Sequence, residues 1–338
     1  MKSNITPILA LAGLAALAFS PAYGYEAATS YQTKPGALIG VSAGVPPPGI
    51  YMFNQVFTYQ SNYSGPGVNA ALGGNNKVGV QAAVDFQGFL FVPGWTFLGA
   101  TYDAVIVQPF EMVSFGSPIN AQASGVHNTY IVPVELSWKL GTSGFAVKTG
   151  LGIWTPDGTV QGANGLGNVG SPYWTFQPEL IVSYLANGWN LSAAMYGEIN
   201  TRNSVDDYRT GNIFHADFTA TKTIGKWTFG PVAYYVGQVS NDSCTSAKCL
   251  GINPFGTLTA AQRFNVWAVG GLVEYNFGPA SLSVWATQEV SAKASNAAAS
   301  SVIGADPSLI TQGMTVFATL SYRLWAPEEP AKAPMFHK

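Results

Sequence analysis

Apolar and polar side chains alternate along this chain with a period of two, in segment after segment of about ten residues. Successive side chains of a strand point to opposite faces, so each such segment reads as a strand with two different surroundings. From 128 to 140, Asn128, Tyr130, Val132, Val134, Leu136, Trp138 and Leu140 share one parity, and His127, Thr129, Glu135, Ser137 and Lys139 share the other. From 174 to 184, Trp174, Phe176, Pro178, Leu180, Val182 and Tyr184 oppose Tyr173, Thr175, Gln177, Glu179 and Ser183. The pattern recurs at 189–199, with Trp189, Leu191, Ala193, Met195 and Ile199 on one face, and at 213–223, with Phe214, Ala216, Phe218 and Ala220. A half-buried soluble sheet also alternates, but its outer face needs charge. Only 9% of this chain is charged, 15 basic against 17 acidic residues, where soluble domains average about 25%. About ten residues suffice for a tilted strand to cross a bilayer.

The same parity test places strands near 50–60, 77–90, 95–108, 127–140, 144–154, 172–185, 188–200, 211–224, 226–240, 262–277, 279–291 and 312–324. Their connections alternate in length. Long ones fall at 61–76, 109–126, 155–171, 201–210, 241–261 and 292–311, and tight ones at Pro93-Gly94, Gly141-Thr142, Asn187-Gly188, Gly225-Lys226 and Gly278-Pro279. This is the asymmetry of an all-β, antiparallel, up-and-down transmembrane barrel of about 12 strands in a bacterial outer membrane. An even count puts both termini in the periplasm. Trp138, Tyr184, Trp189, Trp227, Tyr275 and Tyr322 lie beside the tight turns on the apolar parity, where amphipathic rings prefer the membrane interface.

The first 24 residues read as a secretory signal: Lys2, the apolar run Ile8 to Phe19, and small residues around Ala22-Tyr23-Gly24. Residues 25–49 follow as a periplasmic or lumenal segment rich in Gly and Pro, with an apolar patch at Ala37-Leu38-Ile39. It either folds into the barrel as a plug or forms a periplasmic leader. The barrel then occupies 50–325, and 326–338 form a periplasmic tail.

Tyr173-Trp174-Thr175-Phe176 with Glu179, Gly188-Trp189-Asn190-Leu191, Tyr208-Arg209 with Gly211, Phe214-His215 and Asp217, Gly225-Lys226-Trp227, Gly230-Pro231 and Tyr234-Tyr235 carry a family likeness. Together with Pro46-Pro47-Pro48-Gly49-Ile50-Tyr51, the chain resembles the outer-membrane proteins of the phenol-degradation meta-pathway type, including SphA-type transporters. The resemblance implies a twelve-stranded barrel implicated in uptake of hydrophobic or aromatic compounds, with a related branch resembling secretion channels for functional amyloid. It implies no catalytic residues. One departure is the 13 residues after Trp325, which leave the aromatic-terminated assembly signal internal.

The inward parity collects Asp85, Asp103, Glu135, Glu179, Glu198, His215, Asp217, Glu274 and Glu289 with Lys77, Lys139, Lys148, Lys226 and Arg323. Stability alone demands this, since Arg or Lys facing lipid at the bilayer midplane costs about 2–4 kcal/mol. The same residues would line an acidic selectivity path. Cys244 and Cys249 share one long connection in an oxidising compartment and are expected to form a disulfide. A C-x4-C pair far in sequence from His127 and His215 does not make a metal site, and no phosphate-binding glycine motif suggests a nucleotide, so no cofactor is expected. Near-neutral charge without a basic patch excludes nucleic acid. The rival enzymatic reading places His215 with Asp206, Asp207 and Asp217 near the rim as a barrel hydrolase. The expectation is a passive channel for small apolar or aromatic solutes, with outer-membrane lipids and the barrel-assembly machinery as partners; polypeptide export, or a structural barrel without transport, is the alternative.

Overall fold

The computed structural model describes residues 31–67, 78–117, 120–160, 168–252, 262–304 and 306–327. The expected signal segment, most of the expected tail and Lys77 lie outside them. Fourteen strands form one sheet: β1 Gly49–Ser64, β2 Gly79–Val92, β3 Thr96–Phe97, β4 Ala100–Phe115, β5 Ala121–Val126, β6 Tyr130–Lys139, β7 Phe145–Trp154, β8 Thr175–Ala186, β9 Trp189–Asn200, β10 Ile213–Ile224, β11 Trp227–Gln238, β12 Arg263–Asn276, β13 Ala280–Ser295 and β14 Ile310–Trp325. Among the described residues two short helices, α1 Ala247–Ile252 and α2 Ala297–Ile303, sit in long connections. The twelve long strands pair antiparallel in chain order, and β1 returns to β14 from Ile50↔Trp325 to Ser64↔Ile310. The sheet is therefore a closed 12-stranded barrel, which leaves no lipid-facing edge unpaired.

Several strands exceed the lengths read from the sequence, most of all at the long-loop end. β4 continues past 108 to Phe115 and pairs with β5 from Phe110↔Val126 to Phe115↔Ala121. β6 takes over beside β4 from Val107↔Tyr130 to Thr101↔Ser137. What lay in an expected loop is thus a hairpin that prolongs the wall.

A β-bulge in β6 overturns part of the expected parity. The register slips between Ile131 and Glu135, at Pro133-Val134, where proline has no N–H to give the ladder. Both Pro133 and Val134 are exposed, while Tyr130 and Val132 before them and Glu135 and Ser137 after them are buried. Tyr130 and Val132 therefore face the interior, not the lipid side as a continuous alternation requires. A second slip, between Trp267 and Ala268 opposite β13, turns Ala292 and Ala294 inward.

Glycine permits the wall to coil tightly at Gly270, where an added Cβ would collide with the carbonyl oxygen of Ala286. Its neighbour Gly271 points the other way, and a Cβ there would find its nearest atom, the Gly230 oxygen, at 3.9 Å. Gly270→Val is expected to cost about 1–3 kcal/mol through overpacking and to deplete the heat-modifiable folded band on unheated SDS gels. Gly271→Val is expected to fold like the parent.

Candidate functional site

The segment Tyr31–Gly44 runs inside the barrel. It lacks an acid of its own and folds into successive tight turns, Ala37 N donating to Lys34 O at 3.0 Å, Ile39 N to Gly36 O at 3.3 Å and Val41 N to Leu38 O at 3.1 Å. Gly36 and Gly40 adopt positive φ, 83° and 88°, and a Cβ at Gly36 would press on the Tyr234 ring at 2.9 Å. The turns send the apolar triad two ways. Ile39 joins the buried cluster of Phe57, Tyr234, Leu272, Trp285 and Phe317, while Leu38 packs against the one formed by Ala43, Ala146, Ile181 and Ala194.

Such tight turns leave backbone amides without partners of their own, and the acidic wall takes them. Glu198 of β9 accepts from Gln32 N at 3.1 Å and Thr33 N at 2.9 Å. Asp217 of β10 accepts from Gly36 N at 3.3 Å and Leu38 N at 2.9 Å. Thr219 and Ser183 hydroxyls accept from Gly40 N and Ala43 N, each at 2.8 Å. Lys34, the charged residue of the segment, reaches Glu111 at 2.8 Å. Hydrogen bonds to a charged partner contribute about 1.5–3 kcal/mol each, so the two carboxylates form the main clamp on the segment.

The remaining lumen charges are paired within the wall. Lys148 lies 3.0 Å from Asp103 and 3.5 Å from Glu135. Glu179 accepts from the Tyr130 hydroxyl and from Gln177 at 2.8 Å. Glu289 accepts from Tyr234 at 2.8 Å, Tyr59 at 2.9 Å and Gly313 N at 2.6 Å. Aromatic rings fill the space between: Trp285 stacks on Phe317 at 4.9 Å, Trp154 lies against Tyr130 at 4.6 Å, and His215 stacks on Tyr196 at 4.5 Å. The interior is thus acidic and aromatic at once.

Asp103, Glu135, Lys148, Glu179, Glu198, His215, Asp217 and Glu289 all face this interior and are buried. Glu274 is half-buried near the tight-turn end, where Ser283 donates to it. Lys139, Lys226 and Arg323 are exposed at that same end; Arg323 lies 5.7 Å from the Tyr51 ring and donates to the Pro48 carbonyl.

Asp85 is a correction. Its register partners are Val56 and Phe110, 47% and 45% exposed, while its neighbours Val84 and Phe86 are buried, so its carboxylate stands on the outer face. The interior beside β2 is apolar, and a rule that turns charge inward inverts there. Lys222 also faces outward, at the interface, with its ammonium 5.1 Å from the Trp189 ring and bonded to the Asn187 carbonyl. Glu111, Lys34 and the lumen tyrosines Tyr59, Tyr130 and Tyr234 were missed by the sequence reading, whereas Tyr196 falls on the inward parity of its strand. Extending the odd parity of β4 beyond 108 would have found Glu111.

The hydrolase grouping does not assemble. His215 is fully buried, 3.2 Å from Glu198; Asp206 caps Tyr208 N at 2.9 Å in a loop, and Asp207 sits 3.8 Å from Arg202. Among the described residues no group of His, Cys, Asp and Glu could hold a metal ion.

At the long-loop end Cys244 and Cys249 are joined in a disulfide that packs on Tyr208 and Leu250. Asp242 ties the same loop to the β9–β10 connection, accepting from Tyr208 at 2.7 Å and Gly211 N at 2.7 Å, and burial pushes its carboxyl above the usual range. The pair Cys244→Ser/Cys249→Ser is expected to leave the barrel folded but to open 241–252 to protease nicking, read by peptide mapping of intact cells. Glu198→Gln with Asp217→Asn is expected to loosen the inner segment and raise single-channel conductance in planar bilayers several-fold. Unchanged conductance would mean that the clamp holds without these charges.

Residues 53–303 match the family described as "Putative MetA-pathway of phenol degradation". Among solved structures, the fold resembles the COG4313 outer membrane channel from Pseudomonas putida F1, with TM-score 0.62 and 11% identity, covering 86% of this chain and 99% of that one. It also resembles the translocator domain of autotransporter NalP from Neisseria meningitidis, with TM-score 0.47 and 9% identity over 82% and 90%. A Pseudomonas aeruginosa FadL homologue gives 0.39 and 11% over 90% and 96%. No curated protein sequence matches. With three quarters of its length matched, the chain belongs to this phenol-degradation family.

Proposed function

We propose that this protein is a passive outer-membrane channel for small hydrophobic or aromatic molecules, closed at rest by its inner segment. The observation that carries the reading is the lumen itself. It is walled by Tyr130, Trp154, Tyr196, Tyr234, Trp285 and Phe317 and filled by Tyr31–Gly44, so the passage is narrow and aromatic. Flat apolar solutes suit ring faces better than hydrated ions do. The family description, which names phenol degradation, supports an aromatic cargo, and the likeness to the Pseudomonas putida outer membrane channel supports a channel. In this reading the tight-turn end, with Gly49 and Trp325, faces the periplasm, the long loops face outward, and the assembly machinery meets the internal signal that ends at Trp325. Neither nucleotide nor metal is needed for diffusion down a gradient.

Transport then requires the segment to move. A deletion strain is expected to accumulate labelled phenol, toluene or a long-chain apolar compound more slowly at limiting concentration, and the gene restored on a plasmid is expected to recover the rate. Ser137 donates to the carbonyl of Ala43, so Ala43→Cys with Ser137→Cys can lock the segment to the wall. Locked protein is expected to lose uptake and to regain it with reductant. Equal accumulation of every solute with and without the gene would remove the uptake reading and leave the barrel intact.

A further inference from the structure

The outer face of the barrel is apolar around most of its circumference. On β9 its outward positions run Trp189, Leu191, Ala193, Met195 and Ile199, and on β14 Leu324, Tyr322, Leu320, Ala318, Val316 and Met314. One sector breaks this belt. Asn54 of β1, Asp85 and Gln87 of β2 and Gln108 of β4 all point outward and lie side by side, with Asn54 opposite Gln87 and Gln87 opposite Gln108. They are within the belt, not at its rim. Phe89 and Ile106, 41% and 46% exposed, flank them toward the tight turns, and Phe110 and Met112, 45% and 57%, toward the loops. Asn54 also pairs in register with Leu320, the third outward residue from the end of β14.

Within the copy Asn54, Asp85 and Gln87 are only partly satisfied. Asn54 donates to Gln87 at 2.5 Å and Gln87 donates to Asp85 at 2.8 Å, whereas Gln108 is bonded at both ends, donating to the His127 carbonyl at 2.9 Å and accepting from the Thr129 hydroxyl at 2.8 Å. A carboxylate and amides facing hydrocarbon retain hydrogen-bonding capacity that lipid tails do not meet. Small or hydroxylated outward positions, Thr58, Ala83, Ala104 and Ala318, lie near the patch among the bulkier Val56, Phe89, Ile106 and Phe110. Small residues let two membrane surfaces approach closely, and amides then bond across the gap.

We infer that this β1–β2–β4 sector is an interface with a second copy of the chain. Self-complementarity selects that occupant. Each amide carries both donor and acceptor, so a two-fold axis normal to the membrane sets the patch against itself. The Asp85 carboxylate then accepts amide hydrogens from the facing copy instead of meeting acyl chains. A cationic protein partner would suit the carboxylate but would leave the Asn54 and Gln87 amides half-used.

The test is crosslinking in native outer membranes. The two natural cysteines are already paired, so Thr58→Cys or Ala83→Cys introduces one free thiol on the patch, and Ala193→Cys introduces one on β9 across the barrel. A short bis-maleimide is expected to give a band of twice the chain mass from the patch thiols and none from Ala193→Cys. The triple change Asn54→Leu, Asp85→Leu and Gln87→Leu, made in Thr58→Cys, is expected to keep heat-modifiable folding and to lose the crosslink roughly tenfold or more. A single-copy band from both patch positions overturns the inference. So does an equal crosslink from Ala193→Cys, or an undiminished one in the folded leucine variant.

Discussion

In hydrocarbon an unpaired peptide group has no water to turn to, and the seam between β1 and β14 removes the last row of such groups from this chain. Once the ladder closes, every strand has one neighbour on each side and two faces with different surroundings. The outer face must be greasy and the inner face is free to be charged. The alternation of side chains, the girdle of rings at the tight turns and the low overall charge are consequences of that closure.

Closure also creates an enclosed space in which charges must find partners. The wall pairs Lys148 with Asp103 and Glu135, and gives Glu179 and Glu289 to tyrosine hydroxyls. Glu198 and Asp217 are different, because their backbone donors come from a segment outside the sheet. A buried carboxylate without donors is costly, so wall and segment are mutually dependent: the turns expose amides that need acceptors, and the carboxylates need those amides. Occupancy of the lumen is thus written into the chemistry of β9 and β10 as much as into the segment itself.

The architecture was legible in the sequence because each strand answers to two surroundings at once, and the turns at Asn187-Gly188 or Gly225-Lys226 punctuate it with residues suited to positive φ. Legibility failed where one residue changes the phase. At Pro133-Val134 an extra residue turned Tyr130 and Val132 inward, and nothing in the apolar count marks that step. At Asp85 the failure had another cause. The interior beside β2 is itself apolar, formed by Phe57, Val84 and Phe86, so charge was no longer a guide to direction. Glu111 and Lys34 were missed together, because a strand ended too early on paper removes a residue whose partner lies 77 positions away. The inner segment was legible only as two alternatives, since the carboxylates that clamp it belong to strands distant in sequence.

The run Pro46-Pro47-Pro48 lies between the inner segment and β1. Three consecutive prolines offer no amide hydrogen, so sheet structure cannot propagate backwards from Gly49 into the lead-in. The opening strand therefore has a defined starting point against Trp325, with Pro48 further held by the guanidinium of Arg323. Since the offset of first against last strand sets the shear, and with strand number the diameter, these three imino acids act as an end-stop for the calibre of the pore.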